Sequence, residues 1–201
     1  TFDTTFFQAP GRMNVYNEHP FKVIMDYAHN AHATGVMADL AQRLDVGGRR
    51  IVVVAGPGDR RDEDLREIAA TLAGKFDHYV VRRDDSLRGR DGDEVPRIIS
   101  KALETAGVDL AAITVIPDEQ EAVDAALRMG QPGDLLVVFA DALVRTWKQI
   151  IRFKPEGEMQ KTSARAEVPT LETNLDEQLV AAMEGVVRDE RGLRFEREES
   201  D

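Results

Sequence analysis

Five short apolar runs, at residues 23–25, 51–55, 78–81, 113–116 and 135–139, constrain this chain more than anything else in it. Each is followed by a segment with apolar residues at helical spacing, at about 31–44, 62–74, 94–106, 118–130 and 141–152. A strand with one wet face alternates polar and apolar residues, whereas a strand buried on both faces is apolar throughout. Such strands separated by helices predict a parallel sheet covered on both sides and joined by right-handed crossovers. The expected fold class is α/β: a doubly wound, mostly parallel, Rossmann-like sheet with helices on both faces. Local signals agree. Pro117 separates a strand from the next helix, Asp118 with Glu121 makes a capping box, and Gly130-Gln131-Pro132-Gly133 ends that helix.

The pattern does not cover the whole chain. Ala9-Pro10-Gly11-Arg12-Met13-Asn14 reads as a turn leading into an extended piece, Val15-Tyr16-Asn17. Beyond Pro155 the chain is polar and irregular, with one amphipathic helix expected at 173–187 from Leu175, Leu179, Val180, Met183, Val186 and Val187. The division expected is a domain over 1–154, then a linker and tail over 155–201 ending in frayed acidic residues. A start at Thr1-Phe2-Asp3, without methionine, reads as a piece of something longer.

A net charge of −11 disfavours a general nucleic-acid binder, because phosphate repels an acidic surface. No apolar run approaches the length that spans a bilayer, so no membrane partner is expected. With no cysteine, disulfides and thiolate metal sites are excluded, which fits a reducing cytoplasm. No Gly-x-x-x-x-Gly-Lys-Ser/Thr sequence occurs, so the loop that wraps ATP phosphates is absent from the chain.

Polar residues gather where apolar runs end. Asp26-Tyr27-Ala28-His29-Asn30 closes the first run and opens a helix. In open α/β sheets that edge binds ligands, and the helix N-terminus offers free N–H groups to an anion. Asp26 could accept hydrogen bonds from ribose hydroxyls or could cap the helix. His29 and Asn30 could position an incoming amine or an acyl phosphate. Arg12, placed by a flexible turn, could meet a phosphate with paired hydrogen bonds, and an ordinary surface arginine fits the same turn. Gly56-Pro57-Gly58-Asp59-Arg60-Arg61 has Arg61 where a dinucleotide fingerprint needs its third glycine, so that site is not expected. Trp147, the one tryptophan, reads as a packing residue on an amphipathic helix.

The Asp26–Asn30 segment resembles the Asp-Tyr-Ala-His-Asn-Pro signature in the C-terminal domain of Mur-type ATP-dependent amide ligases, with Ala31 in place of proline. Gly11-Arg12-Met13-Asn14 is similar to a segment that precedes that signature, and Gly58-Asp59-Arg60-Arg61-Asp62 to one that follows the domain's second strand. The peptidoglycan branch carries Asp-Asn-Pro-Arg after the third strand. This chain has Asp84-Asp85-Ser86-Leu87-Arg88-Gly89-Arg90 there, which looks like the cyanophycin synthetase branch, as does the stretch from Val137 to Asp141.

The resemblance implies nucleotide binding by Arg12, Asp26 and Tyr27, and a reacting side at His29 and Asn30. It further implies substrate binding by Asp59, Arg60, Asp84, Asp85, Arg88 and Arg90. A guanidinium needs carboxylate partners such as Asp84 and Asp85, while Arg88 and Arg90 suit an acidic polymer end. No metal ligand is assigned to this chain. The implied cofactors are ATP and Mg, held mainly by an upstream ATP-binding domain. The implied substrates are arginine and an aspartate (cyanophycin) polymer end, joined by an isopeptide bond in a homo-oligomeric enzyme. A peptidoglycan or folylpolyglutamate ligase, or a non-catalytic binding module derived from one, stays open as an alternative. The isolated chain is expected to be inactive, since it lacks the phosphate loop.

Overall fold

The computed structural model describes residues 6, 8–155 and, as backbone, 186–189 and 192–195. Strands β1 (Asn14–Tyr16), β2 (Lys22–Asp26), β3 (Arg50–Val54), β4 (His78–Val81), β5 (Ile113–Val115) and β6 (Leu135–Phe139) form one sheet in the order β1-β2-β6-β3-β4-β5. From β2 to β5 every neighbouring pair is parallel. At the edge β1 runs antiparallel, with Asn14 opposite Met25 and Tyr16 opposite Val23. The expected extended piece at 15–17 is therefore a short edge strand one residue earlier.

Both sheet faces are dry. Helices α1 (Ala31–Arg43), α2 (Asp62–Leu72) and α3 (Glu94–Thr105) cover one, where Val52 and Val54 meet Met37, Leu65 and Ile99. Helices α4 (Glu119–Met129) and α5 (Leu143–Arg152) cover the other, where Ile51 and Val53 meet Val123, Leu127 and Ile150. Adjacent valines of one strand thus enter different cores, which is why the apolar runs show no alternation. Each fully buried valine contributes about 1.5–3 kcal/mol relative to exposure. Trp147 packs as expected, stacked on Phe6 at 5.2 Å between ring centroids and edge-on to Tyr16 at 6.0 Å.

Topology fixes where a ligand can enter. The chain steps outward from β3 to β5 with its helices on the first face, then returns to place β6 between β2 and β3. A right-handed crossover run in reverse puts its helix on the opposite face, where α4 lies. At β6, neighbouring strands leave the sheet toward opposite faces, and their carboxyl ends part. That opening is the crevice in which open α/β sheets bind ligands.

Two local features were not foreseen. A 3₁₀ turn at Leu110–Ala112 leads into β5, closed by the Asp109 carboxylate, which accepts the Ala111 N–H at 2.9 Å. The helix expected at 173–187 lies outside the described residues as far as 185, and its final Val186 and Val187 stand in strand β7 (Val186–Asp189). This strand pairs antiparallel with β8 (Gly192–Phe195). Two successive β-branched residues suit extended backbone, which the helical spacing of apolar residues concealed.

Candidate functional site

The turn before β1 is fastened to the carboxyl end of β2. Gly11 N–H donates to Asn14 Oδ1 at 2.7 Å, and Asn14 Nδ2 donates to the Ala9 carbonyl at 2.9 Å. Gly11 and Met13 both take positive φ, +69° and +50°, a conformation that suits glycine and strains methionine. Asp26 holds that shape: one carboxylate oxygen accepts the Met13 N–H and the other the Ala28 N–H, each at 2.8 Å. The Tyr27 N–H adds a bond to the Gly11 carbonyl at 3.0 Å. Burial pushes the Asp26 carboxyl above the usual carboxylate range, while the Met13 and Ala28 N–H groups and Arg12 pull it partly back. Arg12 sits on this clip with an exposed side chain that makes no hydrogen bond or ion pair among the described residues.

Next along the edge, the exposed Tyr27 ring lies 4.9 Å from the His29 ring. His29 Nδ1 is 3.0 Å from the Tyr27 carbonyl. A carbonyl only accepts, so Nδ1 carries the proton and Nε2 presents its lone pair in the neutral ring. The capping role open to Asp26 belongs instead to Asn30, whose Oδ1 accepts the Ala33 N–H at 2.9 Å at the head of α1.

The loops after β3 and β4 close on each other. At Gly58 an added Cβ would lie 2.1 Å from the Leu87 carbonyl oxygen, so only glycine permits the approach. Arg90 staples the two loops: Nε donates to the Gly58 carbonyl at 2.9 Å and Nη2 to the Arg60 carbonyl at 2.6 Å. Its Nη1 meets Glu94 at 2.5 Å and Asp62 at 2.9 Å. The whole guanidinium is engaged by these two loops and by the first residues of α2 and α3. Arg60 supplies backbone to this staple. Asp59 pairs with Arg88 at 2.8 Å, both partners exposed, and the ion pair holds the Asp59 carboxyl below its usual range.

The two aspartates after β4 differ. Asp85 pairs with Arg145 at 2.6 Å near the surface. Asp84 is buried and has no ion pair among the described residues; the Ser86 N–H donates to it at 2.7 Å. Burial raises its carboxyl and Asp141 adds to that, while the Ser86 N–H, Arg88 and Arg82 oppose it. Asp84 is thus a buried carboxylate, near two arginines but in an ion pair with neither, at the carboxyl edge of the sheet.

Beneath it lies a charged network that the motifs did not reveal. Arg82, fully buried, reaches past the end of β3 to the β6 exit. Nη1 meets Asp141 and the Arg83 carbonyl at 2.7 Å, and Nη2 meets the Phe139 carbonyl at 2.7 Å and Glu119 at 2.9 Å. Glu119, also fully buried, accepts the Asp141 N–H at 3.0 Å and the Thr146 hydroxyl, and it lies 3.5 Å from Arg145. Burial would raise Glu119, yet Arg82, Thr146, the Asp141 N–H and Arg145 together hold it below the usual glutamate range. A charged residue directly after an apolar strand was one available signal, since buried guanidinium requires anions. Glu119 gave none, because an acid in a first helical turn is ordinary on a wet surface.

Among the described residues, no three His, Cys, Asp or Glu side chains converge to hold a metal ion. No described helix is long and apolar enough to cross a membrane.

Comparison with known proteins agrees with this architecture. Residues 11–142 match the family model of the Mur ligase, glutamate ligase domain. A cyanophycin synthetase of Synechocystis sp. is 39% identical over 159 residues, which are 78% of this chain and 18% of that protein. The chain spans 16–18% of the length of the cyanophycin synthetases it matches. Among solved structures, a UDP-N-acetylmuramoyl-L-alanyl-D-glutamate–2,6-diaminopimelate ligase shares the fold at a TM-score of 0.55 and 21% identity, over 71% of this chain and 32% of that one. E. coli FolC in complex with ADP is 25% identical with a TM-score of 0.52, over 71% of this chain and 31% of that one. The clipped arginine turn, the Asp-Tyr-Ala-His-Asn strand end and the sheet that carries them therefore have a family, and this chain belongs to the Mur ligase, glutamate ligase domain family.

Proposed function

We propose that this chain forms one wall of the active site of an ATP-dependent ligase of the cyanophycin synthetase type, joining arginine to the β-carboxylate of aspartate. The carrying observation is the charge pattern on one sheet edge, where Arg12, an exposed guanidinium, and Asp84, a buried carboxylate, stand at the ends of strands, neither in an ion pair among the described residues. The first suits a nucleotide phosphate and the second a cationic substrate. Similarity to cyanophycin synthetases, 39% in one case, and to a FolC that binds ADP supports both halves.

In this reading the γ-phosphoryl group of ATP passes to the aspartate carboxylate, giving an acyl phosphate and ADP. The α-amine of arginine attacks the acyl carbon, phosphate leaves, and the amine loses a proton. Arg12 neutralises phosphate charge, Tyr27 lies beside the nucleotide, and His29 Nε2 accepts the amine proton. Asp26 acts by clipping the Arg12 turn, and Asn30 by capping α1. The substrate guanidinium pairs with Asp84; Asp85 stays with Arg145. Arg88, whose Asp59 partner is exposed and exchangeable, is the cation offered to an acidic polymer end, while Arg60 and Arg90 hold the loop in place. Magnesium, when bound, would neutralise phosphate charge. In this reading an upstream ATP-binding domain would hold it.

The test is arginine-dependent phosphate release by the full ligase with ATP, magnesium and a polymer primer, with lysine as competitor. Release that requires arginine and yields an isopeptide product is expected. Release driven equally by glutamate or diaminopimelate would move the chain to another branch of the family.

A further inference from the structure

We propose that Glu119 is a positioning residue that fixes the loop after β4, and with it the carboxylate of Asp84. The role in substrate choice rests on the reading above; the positioning does not. Glu119 opens α4 but serves three other elements. The first turn of α5 has no cap of its own, since Ala142 offers no capping side chain. Glu119 braces the entry to the helix from across the fold, taking the Asp141 N–H at 3.0 Å, the Ala142 N–H at 3.4 Å and the Thr146 hydroxyl. It also meets Arg82 at 2.9 Å and stands 3.5 Å from Arg145. Arg82 leads into the loop that carries Asp84, and Arg145 grips Asp85 in the same loop at 2.6 Å.

The loop is therefore held at its root and at its tip by two arginines that share one glutamate. Without that charge, Arg82 keeps Asp141 and the Arg83 and Phe139 carbonyls, Arg145 keeps only Asp85, and the link between the two arginines is lost, while the Arg90 staple and the Arg88–Asp59 pair remain. The charge count points the same way. Arg82 and Arg145, two cations, already face three carboxylates, Glu119, Asp141 and Asp85, so neither arginine has charge to spare for Asp84. Glu119 is the carboxylate that touches both arginines, and Asp84 makes an ion pair with neither.

The experiment compares wild type and Glu119→Gln in the full ligase by hydrogen exchange. We expect exchange in a peptide covering 82–88 to quicken by about ten-fold, with one covering 51–54 changed by less than about two-fold. In kinetics, the KM for arginine should rise by about ten-fold while the KM for ATP holds. Arg145→Gln, at a half-exposed position, repeats the question where folding is less at stake, with about a three-fold effect expected in both readouts. An unchanged loop in both variants would overturn the proposal, and so would a core that loosens as much as the loop. A loosened loop in an enzyme that ignores arginine would uphold the positioning and overturn the arginine reading.

Discussion

Arg12 and Asp26 look alike in the sequence, two charged residues near one sheet edge, but the structure gives them different work. Both oxygens of Asp26 are taken by backbone N–H groups, whereas the Arg12 guanidinium is exposed and makes no hydrogen bond or ion pair among the described residues. Arg12→Ala should therefore weaken ATP use by about ten-fold or more, since a charged hydrogen bond contributes about 1.5–3 kcal/mol. Asp26→Ala should do the same indirectly, by releasing the Met13 turn. The two effects should not add: in an Arg12→Ala background, Asp26→Ala should leave the KM for ATP nearly unchanged. Additive losses would show that Asp26 touches the nucleotide itself. Glu119 makes a separate prediction about acid. Its carboxyl is held in the fold below the ordinary glutamate value of about 4.5, so the stability it contributes is full above that value and fades as pH falls through the folded pKa. Arg82, Arg145 and Asp141 face it, and of these only Asp141 can take up a proton in acid. Urea unfolding of Glu119→Gln from neutral pH downward should show a weaker decline than wild type below about pH 4.5. An identical decline would remove Glu119 as the source.

At the scale of elements, periodicity is a good guide to what is buried and a poor one to what is joined. Among the described residues, the helices expected between 31 and 152 and the five parallel strands lie within a few residues of the expected positions, because each has an apolar face to bury, whereas the helix expected at 173–187 ends in strand β7. The antiparallel partner of β2 was legible only as a turn and an extended piece, since three residues carry too little pattern to fix direction. Loop-to-loop contacts were not legible at all. Arg90 read as a substrate ligand from its motif, yet its guanidinium staples the Gly58–Arg60 carbonyls to α2 and α3. Arg90→Ala should thus lower stability by about 1–3 kcal/mol with little change in the preference for arginine over lysine. Equilibrium unfolding beside competition kinetics would check it, and a changed preference at full stability would return Arg90 to the substrate. Gly58→Ala, which pushes a methyl against the Leu87 carbonyl, should cost about 1–3 kcal/mol by forcing the same two loops apart.

Across the described part of the molecule, the carboxyl edge carries Arg12, His29 and Asp84, while the two helical faces hold the core. A sheet wound in this order gathers the ends of β2, β6, β3 and β4 around one crevice, so separate motifs become one surface. The edge was legible because strand ends carry the polar residues; the network under it was not, because Glu119 reaches its partners from the first turn of α4, where an acid is ordinary. Since no phosphate-wrapping loop occurs in the sequence, the 201-residue chain alone should turn over no ATP with primer, aspartate and arginine present. Turnover by that chain would mean that the wall described here is a complete site. The most direct measurement is hydrogen exchange in the full ligase with a non-hydrolysable ATP analogue, magnesium and arginine. Protection should appear in peptides covering 9–16, 26–31 and 82–90 and be absent from those covering 45–50 and 131–134, at the opposite end of the same strands. Protection confined to the opposite end, or to the helical faces, would contradict the account.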